Sequence, residues 1–284
     1  MLSHEVTQKE LAVVEHLVRE AGQLVAGFYA TDVSISYKGV NDPVTAADHA
    51  ANDCLMAGLA AAFPDDGVLS EESADNLRRL QHHRVWIIDP LDGTKEFIGR
   101  NGEFSIMVGL AIDGQPALGV VYQPVVDLLY RGIPGQVAEL VENGIVRPLA
   151  VSTLVDPAAM RLVASRSHRD PLVAIVCQRM GITQERPSGS VGLKVGLLAT
   201  AICDLYIHPS PGLKEWDTCA PEAILRAAGG AITDAWGRPL TYNKADVRQH
   251  QGLVASNGHL HAQIVSATSA AAEAAGFHVD TGFW

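Results

Sequence analysis

The segment WIIDPLDGTKEF, residues 86–97, places two carboxylates directly after a run of large apolar side chains. Its first three residues predict the end of a buried strand, and Asp89 and Asp92 follow immediately. Two like charges at the end of a buried strand are unfavourable unless a positive charge lies between them. The segment therefore predicts a bound cation at the end of a core strand.

The residues around the two aspartates favour a combined metal and phosphate site. Pro90 has no N–H and stiffens the turn, so that both carboxylates and the Leu91 carbonyl can converge. Gly93 lets the backbone approach a phosphate closely, and Thr94 follows at an expected helix start, where N–H groups favour anions. Mg²⁺ prefers oxygen ligands, usually one or two carboxylates together with water and substrate phosphate.

Three further acidic residues lie at boundaries of expected elements, and each has a structural alternative. Asp48 in PVTAAD would also complete a capping box with Thr45 at a helix N-terminus. Glu71 in LSEES is otherwise a solvated loop residue, and Asp217 in EWDTCAPE is otherwise a helix N-cap. Taken together with the aspartate pair, they supply the oxygen ligands that a divalent cation requires.

Composition argues against several classes of function. The chain has 284 residues, enough for two domains, and 48% hydrophobic residues, enough for a large core. A net charge of −11 argues against a nucleic-acid polymer as partner, because phosphate contacts need Lys and Arg. A small anionic substrate is still compatible if metal ions supply the local positive charge. No apolar run suits a membrane span, the N-terminus does not resemble a signal peptide, and scattered cysteines predict a reducing cytoplasm.

Other motifs that would explain the acidic segments do not occur in the sequence. An EF-hand loop requires Asp or Asn two residues after its first Asp, where this chain has Leu91. No P-loop is found, and SGSVG at 188–192 begins with Ser instead of the Gly of a nucleophile elbow. His82 and His83 have no partner at zinc spacing.

Apolar periodicity predicts mixed α+β structure in the first half and α/β structure in the second. In the first half it predicts helices over 8–28 and from Thr45 to about Phe63, and strands over 84–88, 104–112, 117–122, 128–131 and 137–141. In the second half it predicts strands over 162–165, 203–208, 231–234 and 252–256, and helices over 170–180, 191–202, 218–228 and 258–275. We expect a metal-binding domain at 1–148, a substrate-binding domain at 149–284, and a cleft between them.

Four separated motifs resemble the inositol monophosphatase superfamily of Mg²⁺-dependent, lithium-sensitive phosphatases. They are EE at 71–72, DPLDGT at 89–94, WDTCAPE at 216–222 and the Gly pair at 229–230. Within the superfamily, Lys95, SRSH at 165–168 and SPGLKEWDTCAPE at 210–222 most resemble 3′(2′),5′-bisphosphate nucleotidases of the CysQ type. The resemblance covers the chain from Asp42 to at least Asn257 and implies a layered α-β-α-β-α sandwich.

By position, the resemblance implies a site for two Mg²⁺ ions. Glu71, Asp89 and the Leu91 carbonyl would hold one ion, and Asp89, Asp92 and Asp217 the second, so that Asp89 bridges them. Alternatively, the site would hold three ions, with a third, weaker one near Glu71.

The resemblance also implies catalytic and substrate-binding roles. Asp48 and Thr94 would orient and deprotonate the attacking water. Lys194 is the expected cation for a second phosphate, away from the metals. The implied substrate contacts are Gly93, Thr94, Ser165, His168, Ser190 and Lys194.

The expected reaction is hydrolysis of the 3′-phosphate of adenosine 3′,5′-bisphosphate to AMP by metal-activated water, a step of sulfur metabolism. Two ions about 3.5–4 Å apart would clamp the phosphate. The alternatives are an inositol-1-phosphate or fructose-1,6-bisphosphate phosphatase and, in another class, a non-catalytic nucleotide- or ion-binding regulator. We expect a small-molecule phosphate substrate and a cytoplasmic location, with a homodimer and peripheral attachment to the inner membrane left open.

Overall fold

The computed structural model describes residues 6–31, 35–39, 42–167 and 169–278. Within these ranges the helices are α1 Gln8–Tyr29, α2 Ala46–Ala62, α3 Thr94–Ile98, α4 Pro171–Met180, α5 Val191–Ala199, α6 Glu215–Ala227 and α7 His261–Ala274. The strands are β1 Ile35–Gly39, β2 Asp42–Thr45, β3 Gly67–Ser70, β4 Arg84–Asp92, β5 Ser105–Ile112, β6 Gln115–Gln123, β7 Leu128–Ile133, β8 Val137–Glu142, β9 Ile145–Pro148, β10 Arg161–Ser165, β11 Gln184–Ser188, β12 Leu205–His208, β13 Ala231–Thr233 and β14 Leu253–Ser256. None of the described helices combines the length and apolar character that a membrane crossing requires.

A seven-stranded sheet, in the order β3-β4-β5-β6-β7-β8-β9, forms the first half of the protein. Only β3 and β4 pair in parallel within it, and the other neighbours are antiparallel. Strand β4 is apolar on both faces because each face is covered. Trp86 and Ile88 pack with α1 and α2, whereas Val85 and Ile87 belong to the core that contains α5 and α6.

A five-stranded sheet, in the order β11-β10-β12-β14-β13, forms the second half. Its pairings are mixed. Strand β10 runs parallel to its neighbours β11 and β12, and β14 runs antiparallel to its neighbours β12 and β13. Helices α4 and α7 pack on its outer face through residues such as Val176 and Ile264. Helices α5 and α6 lie between the two sheets, so the layers follow the α-β-α-β-α order that the resemblance implied.

One hydrophobic core joins the two halves. It includes Val85 of the first sheet, Val163 and Leu253 of the second, and Cys219 of α6. The predicted domain boundary at residue 148 coincides with the end of β9, the last strand of the first sheet. Because the core continues across that boundary, the division into two domains stays a prediction.

Helix α6 lies unusually close to the first sheet. A Cβ atom at Gly119 would lie 2.1 Å from the carbonyl oxygen of Ala220, and one at Gly109 would lie 2.7 Å from the Ala220 nitrogen. Glycine is required at these two positions because any side chain would push the helix away. This contact sets the depth of α6 and hence the position of its N-terminal turn, which carries Asp217.

Several predicted boundaries differ from the structure. The strand predicted over 84–88 continues to Asp92, and the helix predicted over 218–228 begins three residues earlier, at Glu215. The helix predicted over 191–202 ends at Ala199, where Thr200 turns its hydroxyl back to the Gly196 carbonyl. The last helix begins at His261 instead of 258.

Candidate active site

A cavity of about 440 Å³ lies between the two sheets, at the end of β4 and the N-termini of α3, α5 and α6. It is lined by most of the residues that the sequence singled out. They are Glu71, Asp89, Leu91, Asp92, Gly93, Thr94, Ser165, Ser190, Lys194 and Asp217. His168 lies outside the described residues, and Asp48 is buried behind Thr94.

Three carboxylates converge in this cavity. Asp89, Asp92 and Asp217 each offer one oxygen, and these three oxygens lie within 4.8 Å of one another. The pairing of β4 with β5 changes register between Asp89 and Asp92, and such a bulge redirects side chains. The strand end and the first turn of α6 thereby present their carboxylates to a common point.

Burial raises the pKa values of this acidic cluster, defined as Asp89, Asp92 and Asp217, and repulsion between carboxylates adds to the effect at Asp89 and Asp217. Burial raises the pKa of Asp89 well above its usual value, and the charges of Glu71, Asp92 and Asp217 add to the effect. Burial likewise raises the pKa of Asp217 to about 8, with Glu71 and Asp92 contributing. Carboxylates in this state gain most from a cation, because a cation relieves both desolvation and repulsion.

Each aspartate of the cluster is held by a hydrogen bond to one of its oxygens. Asp89 Oδ1 accepts the Leu91 N–H at 3.0 Å, and Asp217 Oδ2 accepts the Lys214 N–H at 2.6 Å. Asp217 is therefore at the third position of α6, with Lys214 as N-cap, and not itself the N-cap. The predicted N-cap role of Asp217 is therefore wrong, and its carboxylate instead accepts the N–H of the N-cap residue from within the first turn.

Ser190 holds the remaining member of the cluster. Its hydroxyl donates to Asp92 Oδ2 at 2.5 Å, and the Gly192 N–H donates to the same oxygen at 3.0 Å. The Ser190 oxygen also accepts the Leu193 N–H at 3.1 Å and lies 2.9 Å from the Ser105 hydroxyl. Since these contacts occupy the hydroxyl, the geometry favours a positioning role for Ser190 over the predicted substrate contact.

Asp48 completes the capping box that the sequence offered as its structural role, and it also contacts Thr94. Its Oδ2 accepts the N–H and hydroxyl of Thr45 at 2.8 and 2.6 Å, which completes the capping box of α2. Its Oδ1 accepts the Thr94 hydroxyl at 3.1 Å, and that hydroxyl also lies 3.3 Å from the Leu91 carbonyl oxygen. One carboxylate oxygen caps a helix while the other reaches the wall of the cavity. Burial raises the pKa of Asp48.

Lys194 lies beside the acidic cluster. The sequence reasoning had assumed instead that it lies away from the metal site. The residue is 3% exposed, and its Nζ lies 5.2 Å from the ring centroid of Tyr206. Burial lowers the pKa of Lys194, while the charge of Asp92 acts most strongly in the opposite direction. The ammonium therefore offsets carboxylate charge inside the site.

Lys214 and Trp216 line the cavity, and sequence reasoning gave neither of them a role. Both stand in the segment SPGLKEWDTCAPE, within three residues of Asp217. Proximity along the chain to a predicted metal ligand at a helix start was the available signal.

Sequence comparison finds relatives over most of the chain. A family model described as "Inositol monophosphatase family" matches residues 7–273. The 3′(2′),5′-bisphosphate nucleotidase CysQ of Escherichia coli strain K12 is 40% identical over 229 residues, covering 80% of this chain and 91% of that protein. The protein of the same name from Salmonella typhimurium is 40% identical over 235 residues, covering 82% of this chain and 93% of that protein.

Solved structures show the same fold. CysQ from Bacteroides thetaiotaomicron, described as a bacterial member of the inositol monophosphatase family, superposes with a TM-score of 0.75 and 32% identity, covering 88% of this chain and 98% of that one. The Thermotoga maritima IMPase superposes with a TM-score of 0.78 at 24% identity, covering 94% and 99% of the two chains. The second likeness concerns the fold alone.

Proposed function

Because this chain belongs to the inositol monophosphatase family and is a phosphatase, we propose that it hydrolyses the 3′-phosphate of adenosine 3′,5′-bisphosphate, releasing AMP and phosphate. The observation that carries the proposal is the convergence of three carboxylate oxygens within 4.8 Å at a cavity of about 440 Å³, which is large enough for a whole small-molecule ligand. The nucleotidase names of relatives at 40% identity support the choice of substrate.

The residues present fit a site for divalent cations, and we propose two Mg²⁺ ions there. The donor set consists of carboxylates and a backbone carbonyl, which are the hard oxygen ligands that Mg²⁺ prefers. Asp89, Asp92 and Asp217 would hold the ions, together with Glu71 and the Leu91 carbonyl, which line the same cavity. When bound, the ions supply positive charge to the phosphoryl group and lower the pKa of water.

Thr94 and Asp48 would orient the attacking water. The Thr94 hydroxyl donates to Asp48 Oδ1 and so presents its oxygen lone pairs to the cavity. A water that donates a hydrogen bond to Thr94 Oγ1 would be held in one orientation, and its proton could pass through that oxygen to Asp48. The raised pKa of Asp48 suits a carboxylate that must accept a proton near neutral pH.

The C-terminal half would keep the charge of the site balanced and its geometry fixed. Lys194 places one positive charge beside Asp92, which lowers the repulsion that a dianionic phosphate meets on entry. Ser190 and the Gly192 N–H hold one oxygen of Asp92, so the other oxygen can face a cation without a change of rotamer.

Phosphate release with Mg²⁺ tests the proposal across adenosine 3′,5′-bisphosphate, inositol 1-phosphate and fructose 1,6-bisphosphate. We expect kcat/KM for the nucleotide to exceed the other two by at least about tenfold, or about 1.4 kcal/mol. EDTA should abolish all three activities. Higher kcat/KM for either sugar phosphate would overturn the substrate assignment while leaving the metal chemistry intact.

A further inference from the structure

A substrate with two phosphates brings a second dianion into the cavity, and that group needs a cation which other side chains have not neutralised. Three lysines line the cavity, namely Lys95, Lys194 and Lys214. Lys194 is unsuited to the task because it is buried and the charges of four carboxylates already act on its ammonium, namely those of Asp92, Glu96, Asp217 and Glu103. Lys95 directly follows Thr94 on α3, and Thr94 is the residue proposed to contact the attacking water at the phosphate that reacts.

Lys214 has the properties that the second phosphate requires. The side chain is half-buried in the cavity wall, and its Nζ lies 5.1 Å from the ring centroid of Trp216. Among the described residues, this ammonium donates no hydrogen bond and forms no ion pair, and its charge acts on Asp217 only from a distance, opposing the rise in the pKa of that carboxyl. A cation held over an aromatic face keeps its donors available on the opposite side, so the ring orients the ammonium without neutralising it.

The backbone of Lys214 fixes its distance from the reacting centre. Its N–H caps Asp217 Oδ2 at 2.6 Å, so the residue that would read the second phosphate is bonded directly to a member of the acidic cluster. Trp216, which is 9% exposed, packs in the core between the two sheets and cannot move independently. The backbone of Lys214 is therefore held at a fixed distance from the cluster, and the Trp216 ring restricts where the ammonium can lie, which suits recognition of two phosphates on one ribose.

We infer that the Lys214 ammonium binds the phosphate of the substrate that is not hydrolysed, over the face of Trp216, and so selects bisphosphates. This inference rests on the proposed function. It assigns the recognition of the second phosphate to Lys214 and leaves Lys194 to balance charge at the cluster.

Binding of AMP and of adenosine to the Mg²⁺-loaded protein tests the inference without turnover. Isothermal titration should show that the wild type binds AMP more tightly than adenosine, and that Lys214→Met weakens AMP binding about 10- to 100-fold, the range for a hydrogen bond to a charged group. Lys214→Arg should restore part of the loss. Lys9→Met, on the exposed face of α1, controls for the change in net charge.

Kinetics on two substrates then separates recognition from chemistry. The ratio of kcat/KM for adenosine 3′,5′-bisphosphate to that for adenosine 3′-monophosphate should fall about 10- to 100-fold in Lys214→Met, mainly through KM. Equal losses on both substrates would show that Lys214 acts only through Asp217 and would overturn the inference. The inference would also be overturned if this ratio fell in Lys95→Met and stayed at the wild-type value in Lys214→Met. If the wild type binds AMP tightly but hydrolyses sugar phosphates faster, the proposed function fails and Lys214 as a phosphate ligand stands.

Discussion

Removal of metal ions should make the stability of this protein fall as the pH rises. Asp89 and Asp217 have pKa values raised by burial and by neighbouring carboxylates. Below the pKa of the unfolded chain such a group is protonated in both states and leaves stability unaffected. As the pH rises towards the folded pKa, the unfolded chain loses the proton first, and its free energy falls relative to that of the folded chain. The folded state is therefore destabilised across this window.

Asp217 sets the expected magnitude, because its pKa rises from 3.8 to about 8. At about 1.4 kcal/mol per pKa unit, complete ionisation lowers the free energy of unfolding by about 6 kcal/mol. Roughly 3 kcal/mol of this decrease in the free energy of unfolding falls between about pH 5.5 and about pH 8.5, as calculated from the difference in bound protons between the folded and unfolded chains. For a chain of this size the loss corresponds to a fall in Tm of about 6–10 °C. Mg²⁺ should remove most of the fall, since a bound cation replaces the protons.

Scanning calorimetry at the two pH values, in EDTA and in Mg²⁺, measures the effect. Asp217→Asn is the matched variant, because an amide oxygen can still accept the Lys214 N–H while carrying no charge. In EDTA at the higher pH we expect this variant to be more stable than the wild type, and to gain little from Mg²⁺. A wild-type Tm in EDTA that is equal at both pH values, or that increases with pH, would refute the reasoning.

Four substitutions test other parts of the site and fold. Asp89→Asn should lower kcat by about 10³, or about 4 kcal/mol, with an unchanged circular dichroism spectrum, and an unchanged kcat at saturating Mg²⁺ would remove Asp89 from the metal site. Ser190→Ala removes a donor to Asp92 and should lower kcat about 10- to 100-fold, with a higher Mg²⁺ requirement in the same assay. Thr94→Val removes the hydroxyl that reaches Asp48 and should lower kcat by about 10²–10⁴ with KM nearly constant; a change in KM alone would argue against the relay. Gly119→Ala would place a methyl group 2.1 Å from the Ala220 carbonyl oxygen, and a Tm within about 1 °C of the wild type would contradict the close packing of α6.

The layers of the fold could be predicted from the spacing of apolar residues in the sequence. Helix α1 has one apolar face, and β4 is apolar on both, which predicts a helix on the surface of a sheet and a strand buried between layers. Strand β11, in contrast, was not predicted. Four of its five residues are exposed at the edge of the second sheet, so that no alternation of polar and apolar residues marks it.

The start of α6 shows why helix boundaries were harder to predict. An aspartate before an apolar segment is a typical N-cap, and the sequence assigned Asp217 that alternative role. In the structure Lys214 is the N-cap and Asp217 is at the third helical position, so the helix begins at Glu215. Buried Glu215 accepts the N–H groups of Asn243 and Lys244, a long-range contact that no local pattern reveals.

The carboxylates of the site were predictable because each one adjoins an element boundary with a recognisable motif. The surroundings of Ser190 and Lys194 were not, since they depend on how α5 docks against the bulge in β4. A lysine on a helix gives no sign of its partner across 100 residues of sequence, and only the folded chain places Lys194 beside Asp92.

The shared core between the two sheets has a consequence for how ligands enter and leave. Domains that close around a substrate by a hinge are joined by a small, polar contact that can open. Here the walls of the cleft are joined by a layer of buried side chains, with Val163 and Leu253 on one side and Val85 and Ile87 on the other. We therefore expect no hinge opening of the cleft, because such a motion would break this core, and we expect exchange of substrate and product to depend on side chains at its mouth. An engineer who wishes to change the substrate can alter that mouth and leave the reacting centre undisturbed.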